Sequence, residues 1–410
     1  MVRMQASPYP MVSVEEATQT ILERTPVLGV EEVALEQAHG RVLAELVVAR
    51  DDMPPFAASA VDGYAISAAD GAIPRRVVSE IIAGNNESVQ LEAGTTRRIM
   101  TGAPIPAGAD TVVMVEDTRE IDGVMEVLGR FQAGDNVHPR GMDLAQGQGV
   151  LSFGTVLGAA EIGLLATVGR ARMTVYRRPV VAILATGDEL VEPDQPLRPG
   201  SIRDSNRYAL MAAIREAGGV PKSLGMVRDV EAEQEALIRA GLQEADVVLT
   251  SGGVSVGSRD LIKPILKRLG TIHFGRVSFK PGKPTTFATV EDRLVFGLPG
   301  FPVSSLVSFE VFVRPALRRM QGHARVHRPV IHVEAGHEIH RSPDRPEYQR
   351  AVVGWRDGRL IAQATGAQRS SRLLSLAGAN ALLQVTPGSE SIREGDRVPA
   401  LIVGELVAEP

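Results

Sequence analysis

The sequence predicts a multi-domain α/β plus β protein, in which a doubly wound sheet domain accompanies two β-rich regions. Between Pro179 and Met320, apolar strand-like runs alternate with helix-like segments. By contrast, Glu45 to Gly147 and Pro329 to Pro410 contain short β-branched runs broken by turn residues. The 41 glycines and 26 prolines among 410 residues exceed the usual share and indicate many tight turns.

Two helix-like stretches flank the first β-rich region. Ser13 to Thr25 opens with Ser13 and Glu16 at the spacing of a capping box, and Leu157 to Val168 forms the second stretch. Because Glu45 to Gly147 lies between them, we expect a β-rich insertion between two helical pieces that pack together.

The doubly wound region follows. Its predicted strands are Val180 to Ala185, Val220 to Val227, Asp246 to Leu249 and His273 to Val277, with two further strand-like runs. Its predicted helices are Asn206 to Ala217, Val230 to Gln243, Leu261 to Leu269 and Val303 to Met320. This alternation indicates a parallel sheet covered on both faces, with ligands at the carboxyl ends of its strands.

Composition excludes several classes of function. The 44 basic and 49 acidic residues give a net charge of −5, which does not favour a nucleic-acid or membrane-surface partner. With no cysteine, the chain has no disulfide, thiol nucleophile or iron–sulfur ligation, so any sulfur chemistry comes from a ligand. The absence of a long apolar run and of a signal-peptide core predicts a cytoplasmic protein.

The most informative segment is the glycine loop from Thr250 to Asp260 (TSGGVSVGSRD), between a strand and a helix. Its glycines let backbone N–H groups turn toward an anion, and its hydroxyls add donors. A tight strand-to-helix turn is the alternative, but the convergence of donors at a strand end favours phosphate binding. The glycines and hydroxyl residues are Gly252, Gly253, Gly257, Thr250, Ser251, Ser255 and Ser258.

Carboxylates follow several strands of the same sheet. We expect them to gather along one edge, where carboxylates facing a phosphate require a cation and therefore point to Mg²⁺. They are Asp188, Glu189, Asp229 and Asp260. For Asp229 and Asp260 an equally good interpretation is a helix N-cap.

Two proline-containing turns add candidates. Lys280 and Lys283 in KPGKP offer stiffly held cations to an anionic substrate, although a solvated loop is the alternative. The LPGFP turn contains Pro299 and Pro302, and Pro302 is placed near a helix start, where its missing N–H costs nothing. This turn could wall a pocket.

The insertion and the domain boundary carry weaker signals. Asp62 and Thr101 lie in turns of the insertion, and Arg140 could clamp an oxyanion, although a surface ion pair with Asp143 is the favoured interpretation. A metal role for the boundary histidines is disfavoured, because their segment is not predicted to be helical. These are His323, His327, His332, His337 and His340.

Taken together and in this order, TGDEL, TSGGVSVGSRD, KPGKP and LPGFP resemble the MoeA-type molybdopterin molybdenumtransferases, relatives of the C-terminal portion of gephyrin. The resemblance runs from Val12 to Val403. It implies an elongated four-domain protein: a helical domain (1–44 and 148–178), the β-rich insertion (45–147), a molybdopterin-binding domain (179–326) and a C-terminal β-barrel (327–410).

The resemblance also implies the activity. Such a protein inserts molybdenum from molybdate into adenylylated molybdopterin and releases AMP with Mg²⁺. It is a homodimer with the active cleft between subunits, and its partners include the molybdopterin-adenylating enzyme and cofactor-accepting apo-enzymes. Catalytic roles fall on Asp62, Thr101, Asp143, Glu189, Asp229, Asp260, Lys280 and Lys283, with Glu189, Asp229 and Asp260 at the metal. Ligand binding falls on Thr250, Ser251, Gly252, Gly253, Ser255, Gly257, Pro299, Pro302, Arg350 and Ser370.

Some positions depart from the family pattern. Ala57 and Ala58 replace an Asp-Asn pair, Val61 replaces Met, His138 replaces Arg and Phe301 replaces Asn. The loss of polar groups keeps two alternatives open: a catalytically reduced paralogue that binds molybdopterin as a scaffold, or a variant selective for tungstate.

Overall fold

The fold is described from a computed structural model for residues 9–84, 90–254 and 260–410. The chain separates into two compact units. The first comprises residues 1–32, 40–44 and 174–410, and the second comprises residues 33–39 and 45–173. The predicted division into four domains is finer than this and stays a prediction.

The first unit contains a mixed sheet built from six of the described strands. From edge to edge these are Val220–Val227, Val180–Thr186, Val247–Ser251, Arg293–Leu298, Thr286–Val290 and Thr271–Phe274. The first four are parallel to one another, as predicted. The prediction of a wholly parallel sheet was wrong, because Thr286–Val290 runs antiparallel to both of its neighbours, Arg293–Leu298 and Thr271–Phe274. Glu291, at φ 50°, lies in the short turn between two of these strands, which forces a hairpin.

Both faces of this sheet are covered, which confirms the doubly wound prediction. In strand Val180–Thr186, Val181 and Ile183 belong to one buried cluster, while Ala182 and Leu184 belong to the other. The first cluster includes Leu210 of helix Asn206–Glu216; the second includes helices Glu231–Glu244 and Ile262–Leu269. Since side chains alternate along a strand, a strand buried on both faces has to be apolar throughout.

The helix predicted from Val303 to Met320 has an irregular centre. It consists of α-helices Pro302–Ser308 and Arg314–Met320 joined by a π-helical turn, Phe309–Val313. The N-terminal helix is Val14–Glu23, and its capping box is present: the Ser13 and Glu16 side chains each accept the other's backbone N–H.

A closed β-barrel completes the described part of the first unit. The predicted barrel is confirmed, and its interior is filled by an apolar cluster that includes Val353 and Leu383. Its strands, in spatial order, are Val330–Ala335, Arg359–Ala364, Glu347–Arg356, Ala381–Val385 and Arg397–Ile402.

The second unit is β-rich, as predicted for Glu45 to Gly147. Its main sheet, as far as the chain is described, has the order Thr111–Met114, Gly63–Ile66, Thr95–Ile99, Arg75–Ile81, Val124–Val127 and Thr118–Ile121. Helix Ala159–Thr167 belongs to this unit as well. The shorter strands of the chain are Val30–Ala34, Val47–Val48, Ala58–Ser59, Val137–His138, Gly149–Leu151, Arg172–Tyr176, Leu190–Val191 and Ile202–Arg203. Among the described residues, every helix is too short or too polar to span a bilayer.

Candidate functional site

A cleft of about 680 Å³ opens at the carboxyl edge of the four parallel strands. Each of these strands supplies the residues that follow its end. The residues from the strand ends are Gly187, Glu189, Asp229, Ser251, Gly252, Gly253, Pro299, Gly300, Phe301 and Pro302. The cleft therefore lies where the sequence placed it, at the topological switch point beside the first strand of the sheet.

Two consecutive glycines form the turn at the centre of this edge. Gly252 has φ +96° and Gly253 has φ +67°, so both adopt the left-handed region that favours glycine. A Cβ atom at Gly253 would lie 2.9 Å from Ile262 Cγ1, the first residue of the next helix. The turn therefore requires glycine for both its backbone conformation and its close packing.

One predicted anion donor is already engaged. The backbone N–H of Gly252 donates to the carbonyl of Leu298 at 3.0 Å. This N–H therefore bonds to the neighbouring strand end, and its predicted contact with a phosphate stays a prediction. Ser251 and Gly253 line the cleft and stay candidates, whereas Ser255 and Gly257 lie outside the described residues.

Thr250 is placed away from the cleft wall. Its side chain is fully buried. Within the described part of the chain, its hydroxyl has no hydrogen-bond partner. The hydroxyl oxygen would lie 3.6 Å from a Cβ atom at Gly297. Thr250 is therefore a fully buried residue of the strand Val247–Ser251, and its predicted ligand contact stays a prediction.

The three predicted metal carboxylates, Glu189, Asp229 and Asp260, line the same cleft. The Glu189 carboxylate folds over Gly187, where a Cβ atom would lie 2.6 Å from Oε2. Asp229 is held by its surroundings: its N–H donates to Asp188 Oδ1 at 3.1 Å, and its Oδ1 accepts from Gln234 Nε2 at 3.4 Å. The N-cap positions of the two following helices are Val230 and Leu261, so neither Asp229 nor Asp260 is the N-cap residue.

These carboxylates are not assembled into a metal site. Over the described ranges, no three acidic or histidine side chains come close enough together to hold an ion. Their chemistry still suits Mg²⁺, which binds through one or two carboxylates together with water and substrate phosphate oxygens. A ligand-borne phosphate could thus complete the coordination that the protein leaves open.

The predicted lysines do not line the cleft, although their neighbour Pro284 does. The Lys280 ammonium lies 3.0 Å from Oε1 of the largely buried Glu347. This ion pair ties the KPGKP turn to the barrel strand Glu347–Arg356 and offsets part of the positive charge. The Lys283 side chain is exposed.

The turn prolines are confirmed as cleft residues, and Pro302 is the first residue of its helix. Phe301 between them is 59% exposed, so an aromatic ring stands on the wall. The loop between barrel strands Arg359–Ala364 and Ala381–Val385 contributes Ser371 and Leu373 to the wall, not the predicted Ser370. The Ser370 carbonyl instead accepts the N–H of Val303 at 3.1 Å.

Arg350 lies behind this barrel loop. Its side chain is fully buried, and burial lowers its pKa to about 10. It donates to Ser375 Oγ at 3.1 Å and to the Arg369 carbonyl at 3.2 Å. Arg350 therefore holds the loop that carries Ser371 to the cleft, and its predicted contact with the ligand stays a prediction.

Sequence reasoning missed Asn206, the first residue of helix Asn206–Glu216. Its side-chain amide lies in the cleft wall between two strand ends and donates to Ser251 Oγ at 2.7 Å and to the Gly300 carbonyl at 2.8 Å. The signal was a polar run, Asp204 to Asn206, directly before a helix at the ligand-binding edge.

In the second unit, the structure brings Asp62 and Thr101 together. The Thr101 backbone N–H donates to Asp62 Oδ1 at 2.7 Å, and its hydroxyl donates to the same oxygen at 2.8 Å. These two bonds hold the pKa of the Asp62 carboxyl below its usual value. Asp62 is thus kept as an ionised carboxylate.

The predicted ion pair between Arg140 and Asp143 was wrong. Arg140 Nε donates to Asp52 Oδ2 at 2.7 Å instead. The reason is backbone pairing: Gly141 N–H bonds to the Pro54 carbonyl, and Asp143 N–H bonds to that of Met53, which brings Asp52 beside Arg140. Asp143 and His138 are exposed, and His138 pairs in register with Ala58.

Three family profiles match this chain in succession. The MoeA N-terminal region (domain I and II) matches residues 12–169. A probable molybdopterin-binding domain matches residues 182–319, and the MoeA C-terminal region (domain IV) matches residues 332–403. Together they span both units and confirm the resemblance that the motifs indicated.

Individual proteins with these family names are similar to this chain over most of its length. A molybdopterin molybdenumtransferase of a Nostoc species is 39% identical over 96% of this chain and 94% of its own length. The Bacillus subtilis protein of the same name is 36% identical with the same coverage. Gephyrin of Dictyostelium discoideum is 35% identical over 98% of this chain, which spans 64% of gephyrin.

A solved structure shares the fold. The molybdopterin biosynthesis protein moeA of Pyrococcus horikoshii superposes with a TM-score of 0.81 and is 30% identical. The alignment covers 96% of this chain and 100% of that one.

Proposed function

Because the chain belongs to the MoeA family of molybdopterin molybdenumtransferases, we propose that it inserts molybdenum from molybdate into adenylylated molybdopterin and releases AMP. The observation that carries this proposal is the cleft in which Glu189, Asp229 and Asp260 face the glycine turn at Gly252 and Gly253. Such a cleft offers hydrogen-bond donors to a phosphorylated ligand, and carboxylates to a hard cation that the ligand's phosphate would share.

The proposed reaction has two bond exchanges. One molybdate oxygen leaves as water while the two dithiolene thiols lose their protons and form two Mo–S bonds. Water attacks the phosphoanhydride, and AMP leaves as the bond between the two phosphates breaks. The protein needs no cysteine for this, because the sulfurs belong to the substrate.

In this scheme the cleft binds the substrate and orients it. Ser251 and the N–H of Gly253 would hold the phosphate, and Pro299 to Pro302 would form the wall. Glu189, Asp229 and Asp260 would be the carboxylates available to Mg²⁺, one or two of them binding it together with the ligand's phosphate. The ion would offset phosphate charge and polarise the anhydride when bound. Lys283 would attract the anionic substrates, and Lys280 would fix its turn through Glu347.

We further propose a homodimer in which the insertion of one subunit, with Asp62, Thr101 and Asp143, completes the cleft of the other. Exchange with the molybdopterin-adenylating enzyme and cofactor-accepting apo-enzymes belongs to the same proposal, as does a cytoplasmic location. The ionised Asp62 would then add a negative group on the far side of the ligand.

A reduced paralogue is the second candidate, because Phe301 places a ring on the wall where the resemblance predicts a polar Asn. Such a protein would bind molybdopterin without turnover. A tungstate-selective enzyme is a variant of the first candidate, since it would use the same chemistry on another oxyanion.

AMP release separates these possibilities. The protein is incubated with adenylylated molybdopterin, Mg²⁺ and either molybdate or tungstate, and AMP is quantified by chromatography. The transferase predicts molybdate-stimulated release that Glu189→Ala and Asp260→Ala each reduce at least about tenfold, or roughly 1.4 kcal/mol. Tight binding of adenylylated molybdopterin without AMP release supports the scaffold protein. Unchanged turnover in both variants rules out a catalytic role for the carboxylates at this edge.

A further inference from the structure

The Asn206 side chain bridges two strand ends of the cleft. Its Nδ2 donates to Ser251 Oγ at 2.7 Å and to the Gly300 carbonyl at 2.8 Å. Ser251 ends the strand that leads into the glycine turn, and Gly300 lies in the turn after the neighbouring strand. One amide group therefore ties the donor wall of the cleft to the wall that carries Phe301.

The orientation of this amide follows from its partners. The Gly300 carbonyl can only accept a hydrogen bond, so the nitrogen of the Asn206 amide, not its oxygen, has to face it. The same nitrogen faces Ser251 Oγ, and its second hydrogen is directed there. The Ser251 oxygen is thereby committed to accepting from Asn206.

This commitment determines what the Ser251 hydroxyl can do. A hydroxyl has one hydrogen, and the Asn206 nitrogen cannot accept it. Among the residues that the structure describes, the Ser251 hydroxyl makes one hydrogen bond, the one it accepts from Asn206. Since Ser251 is 4% exposed and lines the cleft, its hydrogen can be donated to a group inside the cleft. An acceptor with negative charge, such as a phosphate oxygen, is the ligand that benefits most from such a donor.

We propose that Asn206 is a positioning residue that orients the Ser251 hydroxyl as a hydrogen-bond donor toward an anionic oxygen of the ligand. This inference rests on the proposed function for the identity of that ligand, the molybdopterin phosphate. Asn206 acts through Ser251 and needs no contact with the ligand itself.

Asn206→Asp is the sharpest test, because it keeps the shape and exchanges the donor for a carboxylate. That carboxylate would accept the Ser251 hydrogen and face the Gly300 carbonyl. Molybdopterin binding is measured by calorimetry for the wild type, Asn206→Asp, Ser251→Ala and the double variant. We expect at least about a tenfold loss of affinity for Asn206→Asp, and a much smaller effect of the same change in the Ser251→Ala background.

A pH series adds a readout that a purely structural role would not move. Protonation restores a donor to the introduced carboxyl, so the affinity of Asn206→Asp should recover as the pH falls toward about 4. The affinity ratio between wild type and Ser251→Ala should stay constant over that range. Asn136→Asp is the matched control: the Asn136 amide also donates to a backbone carbonyl, that of Val112 at 2.9 Å, but lies in the other unit.

The outcomes are distinct. The positioning role would be overturned if the affinity losses of Asn206→Asp and Ser251→Ala simply multiplied in the double variant. It would also be overturned if the affinity of Asn206→Asp did not respond to pH. If Asn206→Asp does not fold, the same cycle is measured with Asn206→Ala, where coupling to Ser251→Ala is again required. Failure of the wild type to bind molybdopterin would instead count against the proposed function.

Discussion

The carbonyl oxygen of Thr186 lies 2.7 Å from the point that a Cβ atom at Gly252 would occupy, and the Thr186 hydroxyl oxygen lies 2.8 Å from it. Thr186 ends the first strand of the sheet, and Gly252 follows the end of the adjacent one. The two strand ends are thus packed backbone to backbone, which closes the base of the cleft.

Gly252→Ala should therefore lower the free energy of unfolding by more than the strain of a positive φ alone would. Gly252 combines φ +96° with this clash, and we expect a loss on the order of 3 kcal/mol in the free energy of unfolding, measured in urea. Gly225→Ala is the control, because Gly225 has φ +83° but nothing within 4 Å of a Cβ atom. The Gly225→Ala variant should lose about 1 kcal/mol of its free energy of unfolding. Equal losses would show that the contact with Thr186 has no energetic weight.

Asp246 anchors the opposite end of the sheet. Burial alone would raise its pKa, but hydrogen bonds from Arg177 and the Val180 N–H, with the charge of Arg293, hold the pKa below its usual value. A depressed carboxyl pKa contributes stability that is complete above the unfolded value, about 3.9, and is lost as the pH falls through the folded value.

Asp246→Asn should accordingly destabilise the protein at pH 7 by on the order of 2 kcal/mol, a figure reduced because both arginines are partly exposed. The difference from the wild type should shrink as the pH falls below about 4, as seen in urea denaturation at several pH values. Asp344→Asn removes an exposed carboxylate and should change little. A difference that stays constant with pH would contradict the electrostatic explanation.

Phe301→Ala tests the wall of the cleft. Because the ring is 59% exposed, its removal should leave the melting temperature nearly unchanged. If a flat pterin ring packs on it, molybdopterin affinity should fall by roughly 1 kcal/mol, about fivefold. Calorimetry measures that affinity, and unchanged binding would show that the ring lies outside the ligand contact.

A mixed dimer tests the proposal that the cleft is shared between two subunits. Asp62→Ala and Glu189→Ala subunits, each inactive alone, are coexpressed with different tags and assayed for AMP release. If the two residues act across the subunit boundary, half the dimers hold one intact site, and about a quarter of wild-type activity returns. The pair Glu189→Ala with Asp260→Ala should recover nothing, since both residues line one subunit's cleft. No recovery in the first pair would place Asp62 and Glu189 in the same subunit's site.

The sequence predicted the strands well where both of their faces are buried. Val181 to Leu184 are apolar because the strand is covered on both faces, so the run was recognisable as a buried strand. The antiparallel direction of Thr286–Val290 was missed because it depends on the length of the Glu291 turn, which an alternating pattern does not reveal.

The candidate site was predicted by residue type but not by orientation. Glu189 and Gly253 reach the cleft because they follow strand ends, which is a matter of chain order. By contrast, the Gly252 N–H is taken by Leu298, and Arg140 by Asp52, partners distant in sequence. Asn206 was missed for the same reason: its role exists only once two strand ends lie on either side of it.

Equilibrium binding of molybdopterin to Gly253→Ala tests the central claim most directly. Gly253, at φ +67°, faces the cleft and its turn cannot accept a side chain without moving Ile262. With Gly225→Ala as the folded, positive-φ control outside the cleft, binding should weaken at least about tenfold in Gly253→Ala alone. Equal affinity in wild type and both folded variants would contradict the claim that the glycine turn at this sheet edge holds the ligand.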